Sequence, residues 1–207
     1  MQIARKIETH AIYRSYQARQ IVYLPDAPCE EVFWVRAGRI KESRISDDGR
    51  ELTFRHALKG DLIGDECILP RKRRENQAEA ILPSELGVLP LLHFQALVNE
   101  EADLAAYVLR QFAFRMREME RVLVDTVFFS VRSRVASGLL RLYEREPEDT
   151  GGILKITHQE IANLIGSTRE TTTSVLHHMR EEGIVRMANR QITVLDPVRL
   201  ARLAGRG

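Results

Sequence analysis

From Asn99 to Phe129 the chain contains neither proline nor glycine, and nothing else in the sequence constrains the fold as strongly as this run. With no helix breaker in it, the segment predicts one α-helix spanning roughly 45 Å at about 1.5 Å per residue. It divides the sequence into a part before and a part after. Asn99, followed by Glu100 and Glu101, reads as its start, a capping side chain and then carboxylates at the positive end of the helix dipole. Ala105, Val108, Phe112, Met116, Met119, Leu123 and Val127 recur along it at steps of three and four. Leu104, Leu109, Val122 and Val124 add a second apolar face. One face can cover the preceding domain. The other predicts a two-chain seam, and hence a homodimer, over 99–129.

The part before the rod is written in short strands. Gln20–Leu24 stops at Pro25-Asp26, Glu31–Val35 at Ala37-Gly38, and Arg39–Ile45 at Ser46-Asp47-Asp48-Gly49, after which Glu51–Arg55 resumes. Asp-Gly between two alternating runs is a hairpin signal. Lys59–Asp65 reads as a further turn and Ala78–Val88 as further strand. Turns about every ten residues predict a small barrel or jelly roll occupying residues 1–98.

Beyond the rod, residues 130–207 change character. Val131–Arg145 predicts a helix through Val135, Leu139, Leu140 and Leu142, and Glu146–Gly152 a polar linker with Pro147 and paired glycines. Thr157-His158-Gln159-Glu160 has the capping-box pattern, and the helix it opens carries Ile161, Leu164 and Ile165 before Gly166 ends it. Ser167-Thr168-Arg169-Glu170 repeats that pattern at once. The second helix buries Val175, Leu176 and Met179, with His178 expected to pack, while Thr168, Arg169, Glu170, Thr173, Ser174 and His177 form its polar side. Ile184–Met187 and Gln191–Leu195 make a hairpin across Ala188-Asn189-Arg190, placing Arg186 and Arg190 where a wing meets phosphates. Two capped helices across a glycine turn form a helix-turn-helix. Charge distribution agrees. Residues 1–130 hold 19 Lys+Arg against 20 Asp+Glu, residues 131–207 hold 12 against 9. The basic excess lies where DNA phosphates would be met. The fold class is thus α+β: an N-terminal β jelly roll, a long dimerisation helix and a C-terminal winged helix-turn-helix that binds double-stranded DNA.

Ile156-Thr157-His158-Gln159-Glu160-Ile161-Ala162 and Gly166-Ser167-Thr168-Arg169-Glu170-Thr171 resemble the helix-turn-helix of the CRP/FNR family of transcription regulators. Gly38, Gly49, Gly60 and Gly64 match the glycines of that family's cyclic-nucleotide-binding jelly roll, so the resemblance runs from about Tyr16 to Asp196. It implies a dimeric regulator, more often an activator, that works on inverted-repeat promoter DNA with RNA polymerase. It also implies that Arg169 and Glu170 read base edges, Arg to guanine O6/N7 and Glu to cytosine N4. Ser174 stands where the cyclic-AMP receptor has a further Arg, so the half-site should be shared only in part. The resemblance places an effector pocket at Gly64, Asp65, Glu66, Asn76, Gln77, Ala78, Met119 and Glu120. There Asp65 is a shortened carboxylate, and Asn76-Gln77 replace the Arg-Ser that holds a cyclic phosphate. No cofactor is therefore expected, cyclic AMP included, although a regulator that binds DNA only when liganded by a cyclic nucleotide is the alternative reading. Arg71, Lys72, Arg73 and Arg74 upstream read as a solvated basic loop, the alternative being that they supply the missing charge to the pocket.

The sequence excludes other classes. No run of about 18 apolar residues appears, and the start is too charged for a secretory signal, which predicts a cytoplasmic protein without a membrane partner. Cys29 and Cys67 are expected as reduced thiols, Cys67 buried and inert, with a disulfide and a redox role as open alternatives. Only His177-His178 are neighbouring histidines, so no metal is expected, and no nucleophile–base pair suggests an enzyme.

Overall fold

The computed structural model of the chain describes residues 2–70, 73–145, 151–188 and 191–205. Two compact units emerge, Met1–Glu118 and Met119–Gly207. The boundary falls inside the long helix, so that helix is shared between the units rather than standing as a domain of its own.

The first unit opens with helix α1 (Gln2–His10), followed by β1 (Ile12–Tyr16), β2 (Ile21–Tyr23), β3 (Glu31–Ala37), β4 (Ile40–Ile45), β5 (Glu51–Ala57) and β6 (Leu62–Ile63). A 3-10 turn (Asp65–Ile68), β7 (Gln77–Ala80), β8 (Ser84–Pro90) and helix α2 (Leu91–Glu100) complete the part before the rod. The strands form two four-stranded antiparallel sheets, ordered β1-β8-β3-β6 and β2-β7-β4-β5, the expected jelly roll. Phe33, Val35, Ile40, Ile63, Ala80 and Leu86 meet between them. The Asp-Gly signal marks the β4–β5 hairpin, where Gly49 N–H bonds Ser46 O at 2.8 Å.

Helix α3 (Ala102–Phe128) is the rod, but it does not start at Asn99. Asn99 lies in the last turn of α2, and Glu101 is in extended backbone between the two helices. Lack of proline and glycine permits a helix without locating its end. Packing does that here, because Phe94 on α2 and Leu104 and Val108 on α3 converge on Val32, Trp34, Leu62 and Leu89. Each such side chain contributes about 1.5–3 kcal/mol by leaving water.

In the second unit α3 ends and α4 (Val131–Arg145) begins as expected, joined by Ser137 Oγ donating to the Asp125 carboxylate at 2.5 Å. Residues 146–150 of the expected linker lie outside the described residues. β9 (Ile153–Leu154), helices α5 (His158–Ile165) and α6 (Arg169–Glu181), strands β10 (Val185–Ala188) and β11 (Gln191–Val194), and helix α7 (Pro197–Leu203) follow. The expected hairpin proves to be a three-stranded sheet ordered β10-β11-β9. Val135, Leu139, Ile161, Leu176, Met179 and Leu200 share its core. That core draws on α4, α5, α6 and α7 alike.

Candidate nucleic-acid interface and effector pocket

The helix-turn-helix is held by backbone capping. Glu160 N–H donates to Thr157 Oγ1 at 3.2 Å while Thr157 N–H donates to the Glu160 carboxylate at 2.6 Å, the full reciprocal box. Gly166 ends α5 at φ 63°, ψ 49°, in left-handed backbone that a Cβ would disfavour. The next cap differs from expectation. Thr168, not Ser167, is the N-cap of α6, its Oγ1 accepting from Thr171 N–H at 3.2 Å. Starting the helix one residue later puts Arg169 and Glu170 in its first two positions. There the unpaired N–H groups and the positive end of the dipole favour an anion.

Arg169, Glu170, Ser174 and His177 are exposed along one side of α6, and Thr168 is exposed at its cap. Leu176, Met179 and Thr172 form the buried side, while Val175 is half-buried. His178, expected to pack, is exposed, because the core side of α6 runs through 172, 176 and 179. Thr173 is half-buried and engaged, its Oγ1 lying 3.0 Å from His158 Nδ1. His158, the first residue of α5, also faces His177 edge-on with ring centroids 6.5 Å apart. Burial, then the neighbouring His177 and Arg169, lower its pKa below the usual imidazole value. His158 was not singled out from the sequence, although its place directly after the capping Thr157 marks it as a helix-start residue. Arg186 is exposed on β10. Arg190, the other wing cation, lies outside the described residues.

In the first unit, Gly64, Asp65, Glu66, Gln77 and Ala78 come together inside the jelly roll, where the Asp65 and Gln77 side chains are hydrogen-bonded by the chain itself while Glu66 Oε1 is buried without a hydrogen-bond partner. Asp65 is fully buried, and both its oxygens accept from the guanidinium of Arg115 on α3, one at 2.7 Å. Arg74 is buried, in contrast to the solvated loop expected for it. Its guanidinium lies 4.0 Å over the Tyr23 ring, donates to Glu31 O at 2.6 Å and stands 3.8 Å from the Glu66 carboxylate. A Cβ on Gly64 would come within 2.5 Å of Arg74 Nη1, so that guanidinium occupies the space a glycine leaves. Arg73 is exposed and donates to Asp26 O at 2.6 Å, while Arg71 and Lys72 lie outside the described residues.

Burial, then the charges of Glu42 and Asp65, raise the Glu66 pKa, with Arg74 opposing. Tyr23, buried and donating to Glu42 at 2.7 Å, is also raised, mainly by burial. Asn76 accepts from Arg44 at 3.2 Å, and Gln77 donates to Ser43 Oγ at 3.1 Å. Met119 and Glu120 are exposed on the part of α3 that belongs to the second unit. Arg115, which pairs with Asp65, was missed as a pocket group, while the charge that Arg74 places beside Glu66 is the alternative reading of the basic run. Arg115 sits 50 residues from its partner, and no local pattern reveals such a contact.

The expected seam is also modified. Val108 is only 5% exposed and packs into the first unit's core, and Ala105 is half-buried. Phe112, Met116, Met119, Leu123 and Val127 are exposed, as is Leu109. The exposed stripe thus begins at Leu109 rather than Ala105.

A jelly roll followed by a long helix and a winged helix-turn-helix with an exposed polar recognition side defines a DNA-binding regulator class. The cyclic nucleotide-binding domain family matches residues 13–101 and the Crp-like helix-turn-helix domain family residues 133–203. The cyclic AMP receptor protein of Thermus thermophilus is 30% identical over 188 residues, 91% of this chain and 85% of that protein. A CRP-like cAMP-activated global transcriptional regulator of Mycobacterium tuberculosis is 28% identical over 187 residues, 88% and 84% of the two chains. The solved structure of a CRP-family transcriptional regulator from Thermus thermophilus superposes with a TM-score of 0.80 at 27% identity, covering 93% of this chain and 96% of that one. The chain belongs to the CRP/FNR family of transcription regulators. It is a DNA-binding transcription regulator with a cyclic-nucleotide-binding type of sensor domain. Among the described residues no helix is long and apolar enough to cross a membrane.

Proposed function

We propose that the chain acts as a homodimer on an inverted-repeat promoter site, as an activator working with RNA polymerase inside the cell, and that it binds DNA without cyclic AMP. The observation that carries the DNA part is the exposed run Arg169, Glu170, Ser174 and His177 beside a helix N-terminus capped by Thr168. Arg169 and Glu170 in the first turn reach base edges, and Arg186 and Arg190 on the wing meet phosphates. The two-fold site follows from a two-fold protein. Leu109, Phe112, Met116, Met119, Leu123 and Val127 expose an apolar stripe along α3 that a second copy of the same helix would cover. Half-sites then lie about one helical turn apart. No catalytic role is assigned to any residue.

Independence from cyclic AMP is supported by the filled pocket. A cyclic phosphate needs a cation with free donors, and a ribose hydroxyl needs a free carboxylate. Asn76 and Gln77 carry no charge, the Asp65 carboxylate is taken by Arg115, and Arg74 donates Nη2 to Glu31 O and lies over Tyr23, its Nη1 standing 3.8 Å from Glu66 without a hydrogen bond. Arg74 Nη1 is a donor open to an anionic ligand, but drawing it away from Glu66 or opening the buried Asp65–Arg115 pair to admit a nucleotide carries a penalty of several kcal/mol. The second reading, a switch that binds DNA only when liganded, has the family match over 13–101 and the cAMP-activated relative in its favour. Selection of bound sequences from a random DNA pool, at one fixed salt concentration with and without cyclic AMP, decides between them. The expected result is the same inverted repeat in both arms. A motif recovered only with cyclic AMP at tens of micromolar or below would establish the second reading.

A further inference from the structure

Cys29 and Cys67 are joined as a disulfide, with Cα atoms 5.3 Å apart across 38 residues of sequence. The reduced thiols expected from the sequence are thereby corrected, because the fold brings together two segments that lie far apart along the chain. Cys29 sits in the connection between β2 and β3, and Cys67 in the 3-10 turn that carries Asp65 and Glu66. The same connection holds Arg74 in place from its other side. Asp26 N–H bonds Arg74 O and Arg74 N–H bonds Ala27 O, both at 2.9 Å, and Pro28 bridges Arg73. One covalent bond thus fixes the connection, the buried Arg74 and the turn whose Asp65 grips Arg115 on α3. Both cysteines are buried, and neither is among the residues of the two apolar clusters of the jelly roll.

A regulator that binds DNA inside the cell works among reduced thiols, where a permanently closed disulfide is unusual and a paired site is typically transient or redox-sensing. We propose that Cys29 and Cys67 are a thiol–disulfide site that sets the strength of DNA binding, a proposal that rests on the DNA-binding, intracellular reading above. Closure uses a hydroperoxide. The Cys29 thiolate, on the more accessible of the two residues, attacks the peroxide O–O bond and becomes a sulfenic acid, releasing water or an alcohol. Cys67 then displaces the sulfenic oxygen as water and forms the S–S bond. Opening uses a dithiol, which gives two electrons and two protons and leaves as its own disulfide. Closed, the bond holds the 3-10 turn and so Asp65 against Arg115. Open, it releases that hold on α3, a continuous helix whose last residues belong to the DNA-binding unit. The closed form binds DNA more tightly.

The test uses the full chain and the DNA sequence recovered by selection. One sample is oxidised with hydrogen peroxide and another reduced with dithiothreitol. Thiols are counted with a maleimide under denaturing conditions, and affinity is read by fluorescence anisotropy at fixed salt. The expected counts are none after oxidation and two after reduction, with the oxidised form binding at least about five-fold tighter, the lower range of ordinary allosteric couplings. The double variant C29S/C67S should bind as the reduced chain does and ignore both reagents. Should that variant fail to fold, the reduced wild-type chain, its fold checked by circular dichroism, carries the comparison. Equal or weaker binding by the oxidised form, or thiols that peroxide cannot close in the folded chain, would overturn the proposal and leave the DNA-binding reading standing. Loss of specific binding in both states would overturn both.

Discussion

Replacing Arg115 by Met removes a charge that bonds both oxygens of a completely buried carboxylate. Breaking a buried pair from one side costs about 3–5 kcal/mol, since the remaining charge keeps its desolvation penalty. Arg115 retains 17% of its side-chain surface while Asp65 retains none, and Arg55 also lies in the field of Asp65. These two facts place the expected loss at the lower end, about 3 kcal/mol. For a first unit of 118 residues the unfolding entropy is about 0.25 kcal/mol/K, so the melting temperature should fall by about 12 °C. In the double variant D65N/R115M no charge is left stranded, and the loss should shrink to about 1 kcal/mol. Scanning calorimetry at neutral pH, following the transition of the first unit in the four members of the cycle, gives the coupling directly. A fall of less than about 3 °C for R115M, or a double variant no better than the single, would show that Asp65 is neutralised by something other than Arg115. The account of a filled pocket would then fail at its best-defined contact.

Three further outcomes follow. Phe112→Glu with Met116→Glu should give a monomer by analytical ultracentrifugation at concentrations where the wild-type chain is a dimer, because two carboxylates per chain would face the apolar stripe; a dimer that persists refutes the seam. Arg169→Ala should return a selected motif with one base pair per half-site relaxed, at a cost of about 1–3 kcal/mol for the native sequence, and an unchanged motif would show that Arg169 reads no base. The third concerns pH. Burial raises the Glu66 pKa, so the folded chain holds that proton more firmly than the unfolded chain. Its contribution is complete below the ordinary Glu pKa and is lost as pH rises through the folded value. Glu66→Gln should therefore flatten the decline in stability between the ordinary Glu pKa and the raised folded value in urea titrations, and identical pH profiles would refute the assignment.

Local chemistry made much of this protein legible in advance. Thr157 and Glu160 are three residues apart, Gly166 ends their helix, and the Asp48-Gly49 turn and the long run without proline or glycine depend only on near neighbours. The reader's recognition side was legible because helical periodicity sorts Arg169, Ser174 and His177 from Leu176 and Met179 within one element. Where local signals were degenerate, the sequence misplaced details. Two adjacent hydroxyl residues, Ser167 and Thr168, can each cap a helix, and the fit of α6 against the core selects Thr168. Asn99 had the chemistry of a helix start but ended up in the last turn of α2, since packing of Phe94 and Leu104 fixed the break at Glu101.

The sequence by itself determined the order of parts: a strand-rich unit, a rod, and two capped helices with a wing, each set by periodicities and turn residues acting over a few positions. Only the tertiary structure decided what occupies the pocket. Asp65 with Arg115, Arg74 with Tyr23 and Glu31, and Cys29 with Cys67 are meetings across 38 to 51 residues. Such contacts leave no periodic trace, because they arise when two sheets close on each other and a helix lies against them. The same closure turned Val108 inward and left Leu109 outward, one residue and about 100° of helix apart. Which apolar face belongs to the chain's own core and which to a second copy is settled by that rotation, not by hydrophobicity.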